Sequence, residues 1–263
     1  MADVTCVTCF VIVTCAVLGL CVGSFLNVVV WRVPRHASVV QPPSACPTCE
    51  TRLLPLELVP VLSWAFLRGR CRTCSTPISA RYAVVEATTG VLFGLMGARF
   101  AGSWALPAYL VFTSVLIVLA GIDLDTLTLP RRVVYAGLVA GAGLLTLASL
   151  ALGQPHRLQD AALGALGAFA FLFLLHVAAP RSMGFGDVRL AALIGLYLGW
   201  LGLLQVPIGL FLGFLLGAVV GSVALVASRS GLRTKIPFGP FLAAGAILAV
   251  LVGQPLGHVW LHA

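Results

Sequence analysis

Residues 104–125 read WALPAYLVFTSVLIVLAGIDLD, an apolar run that ends on two aspartates. Positions 104–122 carry no charged side chain. That length suits a membrane span, because a helix of about 20 apolar residues crosses a bilayer. The same bias extends over all 263 residues: 60% are hydrophobic and 9% are charged, whereas roughly a quarter are charged in soluble domains. The sequence therefore predicts an all-α polytopic membrane protein, and it excludes a soluble domain and a disordered chain.

Apolar runs bounded by charged residues, proline or glycine predict eight transmembrane helices. The runs lie at 7–31, 82–98, 104–122, 133–153, 161–179, 188–205, 207–228 and 237–258. We expect three parts: a first transmembrane helix (1–31), a polar loop domain (32–81), and a seven-helix membrane bundle (82–263). The first run lacks the basic start of a signal peptide and has Asp3 there, so we expect a retained helix.

The basic residues predict the orientation of the chain. Eight spans place both termini on one side, and only Arg99 and Arg157 fall on that side. Because positive charge concentrates in cytoplasmic loops, we expect the polar loop inside and both termini outside a bacterial inner membrane. The net charge of +8 then indicates orientation and not binding to nucleic acid. The other basic residues all fall on the loop side: Arg32, Arg35, Arg52, Arg68, Arg70, Arg72, Arg81, Arg131, Arg132, Arg181, Arg189, Arg229, Arg233 and Lys235.

Two C-x2-C pairs lie in the polar loop, Cys46-Pro-Thr-Cys49 and Cys71-Arg-Thr-Cys74. Four thiolates at such spacing are typical of a structural zinc site. A cytoplasmic loop is reducing, which disfavours disulfides. We therefore expect a zinc-ribbon-like domain, with free or redox-active thiols as the alternative. The remaining cysteines are expected to be small side chains buried along the first helix, or a disulfide in the case of the first two: Cys6, Cys9, Cys15 and Cys21.

The eight acidic residues sort by predicted side and depth. Asp3 and Asp160 fall outside, where solvated carboxylates are expected, as they are for Glu50 and Glu57 in the loop. The other four lie at the cytoplasmic boundary of the membrane, where ionisable residues are costly and indicate function: Glu86, Asp123, Asp125 and Asp187.

Asp123 and Asp187 are the best placed to work as a pair. They fall at similar depth, at the end of the third span and the start of the sixth. Two close carboxylates share a proton, so that one acts as base and the other as acid, which is the chemistry of aspartyl proteases. Gly184 and Gly186 would let the backbone before Asp187 approach its partners. Asp125 competes with Asp123, because side chains two apart on a helix point in nearly opposite directions. Geometry alone leaves that choice open.

These residues resemble the type IV prepilin peptidase family, also called prepilin leader peptidase/N-methyltransferase. The GxGD motif alone would indicate only the wider group of intramembrane aspartyl proteases. The motifs that carry the resemblance run in order along nearly the whole chain: Gly23-Ser-Phe-Leu-Asn27, Ser44 to Cys49, Gly69 to Cys74, Arg81 to Glu86, Ile122-Asp123 through Leu129-Pro130, Gly184-Phe-Gly-Asp187 and Ile236-Pro-Phe-Gly-Pro240.

The resemblance implies that Asp123, seven residues before Pro130, and Asp187 are the catalytic pair, with Asp125 in a supporting place. It also implies a substrate, the basic leader of a type IV prepilin or pseudopilin, cut after a glycine that precedes a hydrophobic helix. N-methylation of the new terminus with S-adenosylmethionine is implied too and is associated with the loop. Gly69, Arg81 and Glu86 are the residues matched there, and whether Glu86 contacts cofactor or only packs is open.

Three other functions remain to be weighed. One is a peptidase without methyltransferase activity. A second is a proton- or cation-coupled transporter with a regulatory zinc ribbon, but it would favour acids near the middle of the bilayer. The third is a nucleic-acid-binding ribbon on a membrane anchor, which the scatter of basic residues over several loops disfavours.

Overall fold

The structure is a computed structural model that describes residues 2–179, 183–227 and 237–261, with side chains described for 6–179, 183–223 and 237–252. It divides into two compact units, Met1–Gly102 and Ser103–Ala263. The sequence-based boundary after residue 81 follows the change from polar loop to apolar helix instead, and it stays a prediction. Several positions used above lie outside the described residues: Arg181, Arg229, Arg233, Lys235 and Ile236.

Two long helices, α1 (Ala2–Arg32) and α3 (Arg81–Phe100), pack along each other in the first unit. Membrane helices associate through close packing of small residues and through hydrogen bonds. A Cβ atom at Gly23 would lie 2.8 Å from Cα of Glu86, so glycine is needed at this crossing. One helical turn further along α1, Nδ2 of Asn27 donates a hydrogen bond to the carbonyl of Tyr82 at 3.1 Å.

The polar loop between these helices folds into tight turns around one short helix, α2 (Leu62–Phe66). Single antiparallel bridges join Ala45 to Arg52 and Arg70 to Pro77. Each bridge closes a turn that carries one of the C-x2-C pairs. The loop is therefore a small folded domain, as the cysteine spacing predicts.

Six long helices follow in the second unit, joined by short connections. Their starts and ends differ from the apolar runs by up to five residues, because backbone hydrogen bonds and not hydropathy determine where a helix begins and ends. The predicted span at 188–205, for example, is a helix that begins three residues earlier and ends four earlier. The helices are α4 (Leu106–Thr126), α5 (Arg131–Ala151), α6 (His156–Ala178), α7 (Phe185–Leu201), α8 (Gln205–Ala227) and α9 (Gly239–Leu261).

The described residues thus hold the eight long helices that the sequence predicts, and no strand. Six helices of the described residues are long and apolar enough to cross a membrane: α1, α3, α4, α5, α6 and α8. α7 has 17 residues, and α9 is apolar over Gly239–Val252. The fold class, an all-α polytopic membrane protein with a small cysteine domain, is confirmed.

α7 runs through the interior of the second unit and packs against α5, α6, α8 and α9. Hydrogen bonds at its aromatic residues Tyr197 and Trp200 link α7 to the neighbouring helices, because buried polar groups need partners. The Tyr109 hydroxyl donates to the carbonyl of Tyr197 at 2.8 Å. Nε1 of Trp200 donates to Oγ of Ser149 at 2.8 Å. These bonds fix the height of α7, and with it the position of Asp187, relative to α4 and α5.

Candidate active site and metal centre

Asp123 lies in the last turn of α4 and is 5% exposed. Its Oδ2 accepts a hydrogen bond from the backbone N–H of Gly239 at 2.9 Å. Gly239 is the first residue of α9, and the first N–H groups of a helix have no partner inside that helix. The end of one helix and the start of another, 116 residues apart in sequence, therefore meet at this carboxylate.

Gly239 makes this contact possible because it has no side chain. A Cβ atom there would lie 2.8 Å from Oδ2 of Asp123 and 3.3 Å from Cδ2 of Leu129. Both distances are shorter than ordinary van der Waals contacts. Any larger residue would displace the carboxylate or the backbone.

Asp187 is the third residue of α7 and is 7% exposed. Its Oδ1 is buried without a hydrogen-bond partner among the described residues. The residue before Asp187 and the hydrogen-bond partner of Asp123 both pack against Leu129: a Cβ at Gly186 would lie 2.9 Å from Cβ of Leu129, and a Cβ at Gly239 would lie 3.3 Å from its Cδ2. The second unit thus brings together the pair that the sequence predicts.

The segment between α4 and α5 packs against the start of α7. α4 is followed by its C-cap residue Leu127, whose φ of 53° is left-handed and whose N–H donates to the carbonyl of Asp123. For a residue other than glycine this conformation costs about 1 kcal/mol or more. The chain then turns inward, and a Cβ at Gly186 would lie 2.9 Å from Cβ of Leu129. Pro130 follows as the residue before α5, in extended conformation.

The two other predicted residues near the pair occupy less constrained places. Asp125 is exposed on α4, on a different side from buried Asp123. Gly184 precedes α7, and its carbonyl accepts a hydrogen bond from the N–H of Asp187. A Cβ at Gly184 would meet Oδ2 of Asp187 at an ordinary 3.6 Å. The packing therefore explains a glycine at 186 but not at 184.

The four loop cysteines come together as a cluster whose sulfurs all lie within 4.8 Å of one another. Sγ of Cys46 lies 3.7 Å from Sγ of Cys74, and Sγ of Cys49 lies 3.9 Å from Sγ of Cys71. Four sulfurs bound tetrahedrally to zinc would lie roughly 3.8 Å apart, given Zn–S bonds of about 2.3 Å. The cluster could therefore hold a metal ion, and its donor set and spacing fit zinc.

The two cysteine turns share one local structure. The N–H of Cys46 donates to the carbonyl of Thr51, and the N–H of Cys71 donates in the same way to Thr76. The Thr76 hydroxyl, 3.3 Å from Sγ of Cys74, and its backbone N–H lower the pKa of the Cys74 thiol to about 6. The thiolate is the form that binds metal. The contacts with Thr76 thus favour, at Cys74, the ligand state that zinc needs.

Comparison with known proteins assigns the chain to a family. Residues 110–222 match the type IV leader peptidase family, and residues 17–100 match the bacterial peptidase A24 N-terminal domain. A prepilin leader peptidase/N-methyltransferase of Bacillus subtilis (strain 168) is 36% identical over 245 residues, which cover 91% of this chain and 94% of that protein.

The chain belongs to the type IV leader peptidase family. A prepilin leader peptidase/N-methyltransferase of Aeromonas hydrophila is 37% identical over 273 residues, covering 92% of this chain and 91% of that protein. One from Myxococcus xanthus (strain DK1622) is 43% identical over 225 residues, covering 83% of this chain and 65% of that protein. No solved structure matches.

Membership in the type IV leader peptidase family confirms the resemblance read from the motifs, and it makes the chain an enzyme, a membrane peptidase. Together with the six apolar helices, it supports a multi-pass protein of the bacterial inner membrane. The roles of individual residues stay predictions.

The residues matched to the methyltransferase motifs are Gly69 in the loop and Arg81 and Glu86 in α3. Glu86 is 8% exposed, and its Oε2 accepts a hydrogen bond from the N–H of Val61 at 2.7 Å. Gly69 has a φ of +66° and packs against the ring of Trp64. Arg81 is exposed at the start of α3. Glu86 and Gly69 therefore shape the loop whatever else they bind.

Some residues of the site were missed by sequence reasoning. Gly239 and Leu129 lie inside quoted motifs but received no role, since only the fold shows that they pack at Asp123. Thr51 and Thr76, which bond to the cysteine turns, were also missed. The sequence does carry a pattern that marks them, because both turns read C-x-T-C-x-T and end at these two threonines. Glu57, expected to be solvated, instead forms an ion pair with Arg72 at 2.9 Å.

The cysteines of α1 divide by burial. Cys15 is buried, as expected, whereas Cys6, Cys9 and Cys21 are exposed on the helix surface. A membrane helix exposes small apolar side chains to lipid without cost, which hydropathy alone does not distinguish from burial.

Proposed function

We propose that this peptidase removes the leader of type IV prepilins or pseudopilins by an aspartyl mechanism at Asp123 and Asp187. The observation that carries the proposal is the burial of both carboxylates in one unit, with Gly239 holding Asp123 and Leu129 packed between Gly186 and Gly239. Among the described aspartates only these two are buried. The names of the relatives supply the substrate class.

The two carboxylates divide the work of peptide hydrolysis. The ionised one accepts a proton from water while the water oxygen bonds to the scissile carbonyl carbon. The protonated one donates its proton to the carbonyl oxygen. The C–N bond then breaks, and the amine leaves with a proton returned from the pair. Burial keeps competing water away and strengthens these charge interactions.

The position of the pair suits a substrate that stays in the membrane. Both aspartates lie at ends of helices, at the face where the basic loops are expected. We place that face in the cytoplasm and both termini outside, because basic residues favour the inner side. A basic leader then meets the site from the cytoplasm while its hydrophobic helix remains in lipid.

The loop domain is proposed to support a second activity, N-methylation of the new N-terminus. S-adenosylmethionine supplies the methyl group when bound, and the printed names of the relatives include this activity. Cys46, Cys49, Cys71 and Cys74 are proposed to hold a structural zinc ion. Zinc would stabilise a loop whose apolar core is small.

One spectrum tests both activities. A prepilin co-expressed with this chain is purified and its N-terminal peptide is analysed by mass spectrometry. We expect a peptide that starts after the leader glycine and carries one added methyl group. A cleaved but unmethylated terminus would indicate a peptidase without the second activity. An intact leader would contradict the proposal.

A further inference from the structure

An apolar groove of about 520 Å³ lies between α6 and α8 in the second unit. Its lining contains no charged residue. α6 packs along α7 and α8 packs along α9, which leaves the space between α6 and α8 open. The residues that define the groove are Leu163, Gly167 and Phe171 from α6, Leu203 from the turn before α8, and Phe211 and Phe214 from α8.

On the α6 side, one end of the groove reaches the level of Asp187. Phe171 lies between Phe169 and Phe173 on α6, and each of these two rings packs edge-on against Phe185, with centroids 6.5 Å apart. Phe185 is two residues before Asp187 in the same turn of α7. Phe171 therefore lies at the same depth as the start of α7, on the opposite face of α6 from the two rings that contact Phe185.

On the α8 side, the same end of the groove reaches the partner of Asp123. The ring of Phe214 contacts Phe171 across the groove, with centroids 6.3 Å apart. It also contacts Phe238, with centroids 5.0 Å apart. Phe238 immediately precedes Gly239, whose N–H donates to Asp123. Both walls thus end at the depth of residues that neighbour, in sequence, Asp187 and the hydrogen-bond partner of Asp123.

From this end the groove runs away from the aspartates. Gly164, in its α6 wall, packs against Gly195 and Gly199, which follow Asp187 by two to three turns of α7. On α8 the lining extends from Phe214 back to Val206, which corresponds to about 12 Å of helix at 1.5 Å per residue. The groove thus matches about eight residues of an apolar helix that starts at the level of the carboxylates.

We propose that this groove binds the hydrophobic helix that follows the scissile bond of the substrate, an inference that rests on the proposed peptidase function. A substrate helix that starts at the aspartates and continues into the membrane runs away from them along α7, which is also the direction of the groove. Its apolar side chains find a lining without charge, and small residues let the helices approach closely. An acyl chain of a lipid would satisfy the apolar lining but has no reason to end at the depth of the aspartates.

Two glycines offer a matched test. A Cβ at Gly167 and a Cβ at Gly143 would each meet nothing within 4 Å, so both helices accept a larger residue. Only Gly167 lines the groove. For Gly167→Leu we expect KM for a prepilin with its hydrophobic helix to rise about tenfold, because the added side chain would occupy space in the groove that the substrate helix needs. Gly143→Leu should keep the wild-type KM.

Equal KM values in the two variants would overturn the groove assignment and leave the peptidase function intact. A wild-type protein that does not cleave the prepilin would contradict the function itself. A second measurement uses p-benzoylphenylalanine in place of Phe211, with Val219 on the same helix as control. We expect photo-crosslinks to prepilin at 211 and not at 219. Crosslinks at 211 to phospholipid alone would refute the proposal.

Discussion

At the scale of single residues, the Asp123 carboxylate depends on the absence of a side chain at Gly239. Gly239→Ala would place a carbon 2.8 Å from Oδ2 of Asp123, so the carboxylate or the start of α9 must move. A displacement near 1 Å at a catalytic group costs about 10²-fold in rate. We expect leader cleavage to fall by about that factor, measured with purified enzyme and prepilin.

Gly143→Ala is the control for this change, since a Cβ there meets nothing within 4 Å. Its activity should equal that of the wild type. Full activity of Gly239→Ala would show that the contact between α9 and Asp123 is dispensable.

Glu86 is a second residue whose role in holding the loop can be tested. Its carboxylate accepts the N–H of Val61, a residue with a φ of 59°. Glu86→Ala leaves that N–H without its partner, at a cost of about 1–3 kcal/mol, whereas Glu86→Gln keeps an acceptor oxygen. We expect faster proteolysis of the loop in the alanine variant and a wild-type pattern in the glutamine variant.

A measurement of N-methylation distinguishes the two possible roles of Glu86, contact with the cofactor and packing of the loop. If Glu86 only holds the loop, the glutamine variant methylates like the wild type. A glutamine variant with an intact loop but no methylation would show that the carboxylate acts on cofactor or substrate.

At the scale of elements, the cysteine turns predict a metal-dependent loop. Cys46→Ser removes one of four ligands, and we expect purified protein to lose most of its zinc, measured by elemental analysis. Metal binding and folding are coupled in such domains, so loop proteolysis should accelerate. Methylation should fall more than cleavage, because Asp123 and Asp187 lie in the other compact unit.

Cys21→Ser is the matched control, because Cys21 is exposed on α1 outside the cluster. Equal zinc content in Cys46→Ser and wild type would contradict the ribbon.

The number of long helices and their order along the chain are the part of the fold that the sequence predicts best. Each long helix corresponds to an apolar run, because burial in lipid requires one. The sequence predicts the ends of these helices less accurately. α4 continues through Asp123 and Asp125 to Thr126, and α6 begins at His156 among polar residues. Hydropathy reports which residues contact lipid, whereas a helix ends where its hydrogen bonds end.

At the scale of the whole molecule, the site is assembled from distant parts of the chain. Asp123, Leu129, Asp187 and Gly239 come from α4, the segment after it, α7 and α9. The charge pattern identified Asp123 and Asp187 as candidates. Helix geometry alone did not distinguish Asp123 from Asp125, and only the family resemblance favoured Asp123. No sequence pattern revealed the N–H of Gly239 or the groove beside α8, since both depend on how helices pack.

The direct test of the account compares three substitutions of one kind. Asp123→Asn, Asp187→Asn and Asp125→Asn each remove one acidic group with little change in size, and the first and third lie two residues apart on α4. Initial rates of prepilin cleavage are measured with each purified variant. We expect losses of about 10³-fold or more for the two buried positions and substantial activity for exposed Asp125→Asn. Normal cleavage by Asp187→Asn or Asp123→Asn would contradict the aspartyl mechanism.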